Sequence, residues 1–250
     1  MGVDVPVAPK ASGLSTVLNV IAAPREAFAA LRLVPTWGWA FIIAAILMIA
    51  GTALEAPAAR HVGVAQIQRM QATNPMFAQM SDQKKQAMID RARKPSIVGL
   101  FFAPVILLLF VLLNTVFMLV GNAVGRGSAD FKRLWSGSMN IAVPTVGLGA
   151  LVTGLIVMLR GADTFGSQTE MMRAMPGLGM LPLGGSPALT TMLATISIFS
   201  VWGLFLNATM LQTTAGTSKG VAWGFAALVL VLAALASGGF AMVGQNFGVS

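Results

Sequence analysis

Apolar residues gather in five uncharged runs, and polar residues fill unequal gaps between them. The runs cover about Trp37–Leu54, Ile97–Val120, Met139–Leu159, Ala188–Leu211 and Val221–Val243, with no Asp, Glu, Lys or Arg inside any of them. A helix rises ~1.5 Å per residue, so roughly 20 residues match a hydrocarbon layer about 30 Å thick. Backbone groups in lipid must bond within their own segment, which makes each run a helix. The alternating ten-residue pattern of a membrane β-barrel is absent. The third and fourth runs hold Gly, Ser and Thr, which suit close packing between helices.

The gaps are informative as well. Residues 55–96 form the longest connection and are expected to lie outside the membrane. Within it, 64–70 has helical spacing, and Ser81-Asp82 reads as the start of a second helix ending near Lys94-Pro95. That helix carries Lys84, Lys85, Arg91, Arg93 and Lys94, the dress of either a headgroup-binding helix or a solvated connector. Residues 160–187 are rich in Gly, Pro and Met, while 121–138 and 212–220 are short. Before the first run, Val17, Ile21, Pro24, Phe28 and Leu31 recur at helical steps. Pro24 suits the first turn of a new helix, with Glu26 at the positive end of its dipole. This is the pattern of a bent amphipathic helix in the headgroup plane, or of one packed on the bundle. It leads into Trp37 and Trp39, whose indoles suit the membrane interface.

Composition agrees. Hydrophobic residues make up 56% of the 250-residue chain and charged residues only 10%, against about 25% charged in soluble domains. Too few charges remain to coat a water-facing globule. The net charge is +8, from 16 basic and 8 acidic residues. The basic residues sit between apolar runs, so anionic lipid headgroups are the expected partner and nucleic acid is not. Five crossings divide them into seven on the side of the N-terminal segment and nine on the other, so charge alone does not set orientation. No cleavable signal peptide is expected, because the first apolar run starts deep and runs long. The absence of cysteine removes thiol catalysis, thiolate metal sites and palmitoylation together.

Several local patterns occur in one order. Asn19-x4-Pro24-x3-Phe28 precedes the first run. A Gly-rich turn, Gly125-Arg126-Gly127-Ser128-Ala129-Asp130, leads to Phe131-Lys132. Pro144 stands early in the third run, and Thr217-Ser218-Lys219-Gly220 precedes the last. In this order, over residues 14–243, the chain resembles the Yip family, the Ypt/Rab-interacting membrane proteins and their prokaryotic relatives. The resemblance implies five helices with a cytoplasmic N-terminus. For eukaryotic relatives it implies Rab GTPase binding, vesicle traffic and membrane shaping. Those relatives carry a longer N-terminal region with an Asp-Leu-Tyr-Gly-Pro motif. This chain has 36 residues there and no tyrosine, so GTPase binding is not expected of it. The Ala- and Gly-rich composition looks prokaryotic, which implies a bacterial plasma membrane.

Candidate chemistry is sparse. The runs hold no ionisable group of the kind that coupled transporters place at mid-membrane. Asn114, Asn140 and Asn207 are their amides. They are expected to join helices, or else to face a shared cavity for an uncharged or lipidic solute. Pro144 takes the helical donor from the Asn140 carbonyl, predicting a kink, and Pro104 has the same potential in the second run. Ala150/Gly154, Gly220/Gly224 and Ala234/Gly238 offer close helix contacts or a homo-oligomer interface. Met171, Met172, Met175 and Met180 have soft sulfurs but no His or Cys beside them, so apolar filling is the expectation rather than copper. His61 stands alone, and no Walker loop, GxSxG, HExxH or carboxylate pair appears.

The sequence therefore specifies an all-α integral membrane bundle. Residues 1–36 form an N-terminal interfacial segment, 37–243 a five-span Yip-like domain and 244–250 a short tail. The expected function is non-enzymatic, with no cofactor and no metal, in membrane organisation or partner binding. Pro24 and Phe28 are expected to dock the N-terminal helix. Phe131, Lys132 and Arg133 are expected to meet headgroups or a protein partner. A passive transporter with the three amides lining one cavity is the alternative.

Overall fold

Pro24 divides the N-terminal segment as its chemistry requires. The computed structural model describes residues 13–94, 97–181 and 186–246. In it α1 spans Gly13–Ala22 and α2 spans Pro24–Leu33, with Pro24 in the first turn, where a missing N–H costs nothing, and Glu26 beside it. One face of this pair is buried through Val17, Val20, Ala27, Phe28 and Leu31.

The next helix corrects the expected loop boundary at residue 55. α3 runs unbroken over Gly38–Thr73, 36 residues or about 54 Å. That length exceeds the roughly 30 Å of a hydrocarbon layer. Good helix formers fill residues 55–73, and Ala58, Val62 and Ile67 keep one stripe buried, so nothing stops the helix where its lipid-facing run ends. Pro57 removes a single ladder donor without breaking it.

The chain then turns through α4 (Pro75–Ala78) into α5 (Asp82–Arg93), which returns along α3 with Ala92 facing Gly63. Asn74 caps α4, its side chain accepting from the Met76 N–H at 3.0 Å. Ser81 takes the expected cap position of α5, but its side chain makes no cap bond. Pro95 lies outside the described residues.

α6 (Ile97–Val124) crosses without a break at Pro104. α7 (Phe131–Ala142), a π turn at Val143–Gly147 and α8 (Leu148–Arg160) form one continuous path. The kink expected at Pro144 is this π turn, which widens the ladder where the proline lacks a donor. The connection that follows holds α9 (Gln168–Met172) between two short 3₁₀ turns.

The fourth expected span, 188–211, is not one helix. It divides into α10 (Pro187–Thr195) and α11 (Ile198–Met210), and α11 continues as a π turn at Leu211–Ala215. Ser197 starts α11 with a reciprocal capping box to Ser200. The preceding loop pairs with the break: the Leu178 N–H donates to the Ile196 carbonyl at 2.9 Å, and the Ile198 N–H to Pro176 at 3.1 Å. Residues that read as continuous by hydropathy are interrupted because another segment satisfies their backbone. α12 (Lys219–Asn246) closes the bundle and runs past the expected boundary at 243.

Four helical paths are long and apolar enough to cross a membrane: Gly38–Thr73, Phe101–Val124, Phe131–Arg160 and Lys219–Met242. Among the described residues no strand forms; Gly177 and Ser197 make one isolated bridge.

Packing follows side-chain size. α3 and α8 meet so closely at Gly51, Ala150 and Gly154 that a β-carbon on Gly51 would fall 2.3 Å from the Ala150 carbonyl oxygen. The expected Ala150/Gly154 contact is thus real, with Gly51 as its partner. Gly238 packs under Met192 of α10. A β-carbon on Gly220 or Gly224, by contrast, would meet nothing within 4 Å, and both residues are exposed. The largest core lies among Phe28, Leu31, Met118, Leu134, Leu206, Met210 and Leu211, uniting α2, α6, α7 and α11.

Candidate functional site

At one end of the bundle, two turns lock together and hold α2 above them. Asn122, near the end of α6, donates to the Ala129 carbonyl at 3.0 Å and accepts from the Ala129 N–H at 3.3 Å. The Gly127 N–H returns to the Asn122 carbonyl at 2.7 Å, and the Ser128 N–H reaches Ala215 in the next turn at 2.8 Å. A β-carbon on Gly125 would strike Thr217, and one on Gly127 would strike the Asn122 side chain and the Ala215 carbonyl. The Gly-rich motif and the Thr217 turn are therefore two halves of one contact, and glycine is needed for the approach.

Asp130 caps α7, accepting from the Arg133 N–H at 2.9 Å. The Arg133 side chain turns back and donates from Nε to the Arg32 carbonyl at 2.8 Å. That carbonyl ends α2 and has no helical partner, so Arg133 serves as its cap. Its ion pair with Asp130, at 3.5 Å, is solvent-exposed and worth under ~1 kcal/mol. The Arg133 Nε thus has a partner within the chain, while the side chain stays partly exposed. On the buried side, Thr214 Oγ1 donates to the Phe28 carbonyl at 3.2 Å. Phe28 is fully buried, with its ring among core residues of three other helices.

The outward surface of this end is mixed. Leu14, Leu18 and Ile21 are exposed on α1, as are Leu33 at the end of α2 and Val34 after it, and Trp37 and Trp39 stand 41% and 54% exposed. Trp37 meets Trp135 edge-on at 6.2 Å, and Phe131 stacks on Trp135 at 5.9 Å. Arg25, Arg32, Arg126, Lys132 and Lys219 are exposed around these groups, against Glu26 and Asp130. Exposed apolar side chains and cationic ones thus share this surface.

The three amides do not meet at one place. Asn114 Nδ2 donates to Ser138 Oγ at 3.0 Å and to Asn207 Oδ1 at 3.1 Å, tying α6, α7 and α11 together. Asn140 is buried elsewhere and donates to the Thr36 carbonyl at 2.9 Å and to Ser136 at 2.8 Å. Both sets join helices or hold a turn. Sequence reasoning missed Ser138 as the third member and Thr36 as the acceptor. Ser138 had no signal beyond being a small polar residue near the third run, and a backbone acceptor has none.

At the opposite end, the α3–α5 hairpin exposes Lys84, Arg91, Arg93 and Lys94. Met171 joins Val62, Val157, Phe165 and Ala174 in a core against α3, while Met172 and Met180 are exposed. The loop methionines thus do not share one environment. Arg69 donates to the Gly166 carbonyl at 2.5 Å, and the Arg160 guanidinium lies 5.0 Å from the centre of the Phe165 ring.

No family model and no solved structure matches the chain. It is similar to Membrane protein YknW of Bacillus subtilis (strain 168), with 28% identity over 241 residues that cover 92% of this chain and 94% of that protein. A likeness over nearly the full length of a membrane protein, together with four long apolar helices, makes this an integral multi-pass membrane protein.

Proposed function

We propose that the chain is a five-crossing, Yip-type protein of a bacterial plasma membrane, with α1 and α2 on the cytoplasmic side. Its role is non-enzymatic: it organises the membrane or binds a partner through the apolar and basic surface at that end. The fifth crossing is α11 with its π turn, 13 and 5 residues, together about 27 Å long. The observation that carries the reading is the two-sided N-terminal pair. One face is sealed into the bundle through Phe28 and Leu31. The other presents Leu14, Leu18 and Ile21 beside Trp39, which water would penalise and a bilayer surface would accept. The motif order supports the Yip reading, since its Gly-rich turn and its Thr217 turn pack on each other.

Single cysteines in this cysteine-free chain test both parts. An environment-sensitive dye at Leu18 should emit as from an apolar medium in anionic proteoliposomes; a water-like spectrum refutes surface seating. With an impermeant reagent added outside intact cells, Gln83→Cys in the hairpin should label and Ser128→Cys should not. The reverse pattern overturns the orientation.

A further inference from the structure

The break between α10 and α11 opens a groove of about 420 Å³, a volume typical of small-molecule sites. Leu178 of the folded-back loop forms one wall, and Ile198, Val201, Trp202 and Phe205 of α11 form the other. Gly177 holds that loop against the break: a β-carbon there would lie 2.5 Å from the Ile196 carbonyl oxygen. Ser197 also lines the groove, but its hydroxyl already accepts the Ser200 N–H at 3.1 Å. The groove therefore has apolar walls and no free hydrogen-bonding side chain to select a polar solute.

Leu178 also lines a small recess shared with Arg173 and Thr190. One terminal nitrogen of Arg173 donates to Thr190 Oγ1 at 3.0 Å, which fixes the guanidinium. The residue is otherwise exposed, leaving donors in the planar fork suited to a phosphate. An apolar groove and a tethered guanidinium thus adjoin the same leucine.

We propose that this is a phospholipid site, with one acyl chain in the groove beside Trp202 and the lipid phosphate on Arg173. The proposal rests on α11 crossing the bilayer. The groove then lies in the half of the hydrocarbon away from α1 and α2, where acyl chains are the abundant apolar ligand, and Arg173 lies at the adjoining headgroup layer.

The test titrates full-length protein in detergent with phosphatidylglycerol brominated on its acyl chains. Tryptophan fluorescence should be quenched saturably, by one lipid per chain, and the saturable part should vanish in Trp202→Phe. Val201→Phe, at an exposed position that the core does not use, should abolish it with circular dichroism unchanged. Arg173→Gln should weaken phosphatidylglycerol binding by about tenfold, as loss of a charge-assisted contact does, and leave brominated diacylglycerol binding unaltered. Quenching that rises without saturation, that survives Val201→Phe, or that ignores Arg173→Gln overturns the proposal. So does a concentration-dependent dimer that hides Trp202 from lipid. Cysteine labelling along α11 reports the crossing independently, so a failed groove and a failed topology are told apart.

Discussion

Alanine in place of Gly51 tests the close crossing of α3 and α8. The new β-carbon would lie 2.3 Å from the Ala150 carbonyl oxygen and 2.7 Å from the Leu151 nitrogen, where ordinary contact begins near 3.4 Å. Both obstacles are backbone, so neither rotates away. α3 and α8 must separate by about 1 Å locally, and a radial gap of that size forfeits about a quarter to a half of the dispersion energy along the seam. Overpacking typically costs about 1–3 kcal/mol, while replacing a mid-helix glycine by alanine returns roughly 0.5–1 kcal/mol. The expected net loss is about 1–2 kcal/mol. Gly224→Ala is the internal control: with nothing within 4 Å, it should only gain the propensity term. Equilibrium unfolding in mixed micelles with rising dodecyl sulfate, followed by far-ultraviolet circular dichroism, measures both. Gly154→Ala forces the same separation, since its β-carbon would lie 2.4 Å from the Gly51 carbonyl oxygen. The double variant should therefore cost less than the sum of the single ones. Equal stability of Gly51→Ala and Gly224→Ala would refute the close crossing.

Asn207→Ala should lose about 0.6–2 kcal/mol in the same unfolding assay. Asn114→Ala should then cost little more in that background, because both amides belong to one network. Arg133→Ala should destabilise by about 1 kcal/mol through the uncapped Arg32 carbonyl, with faster hydrogen exchange at the end of α2. Arg133→Lys should fail to rescue it, since an ammonium lacks the Nε donor of the fork. Ser197→Ala removes the α11 cap and should cost about 1 kcal/mol; exchange at the Ser200 N–H should rise while α12 is unaffected.

Much of the helical plan is legible from residue chemistry alone. Uncharged runs mark the membrane segments because burying unpaired charge in hydrocarbon is costly. Pro24 marks a helix start because its φ is fixed and its missing donor is harmless there. Pro144 marks the distortion in the third run for the same local reason. Asp82 to Arg93 reads as a helix, and so it is.

What only the tertiary structure decides is where local preference yields to distant contact. Hydropathy sees Ala188–Leu211 as one run; the break at Ile196 exists because residues 176–178 supply hydrogen bonds from another segment. Polarity suggests that α3 ends at residue 54, yet Phe165 and Met171 bury its far half beside Val62. Nothing local says that Arg133 also bonds the Arg32 carbonyl, 101 residues earlier in the chain. Small-residue spacing is the same at Ala150/Gly154 and Gly220/Gly224, and only the arrangement of neighbours makes one a seam and leaves the other bare. A helix's propensity, charge and oiliness are properties of the residues in it. Which face is covered, and by what, is a property of the whole fold.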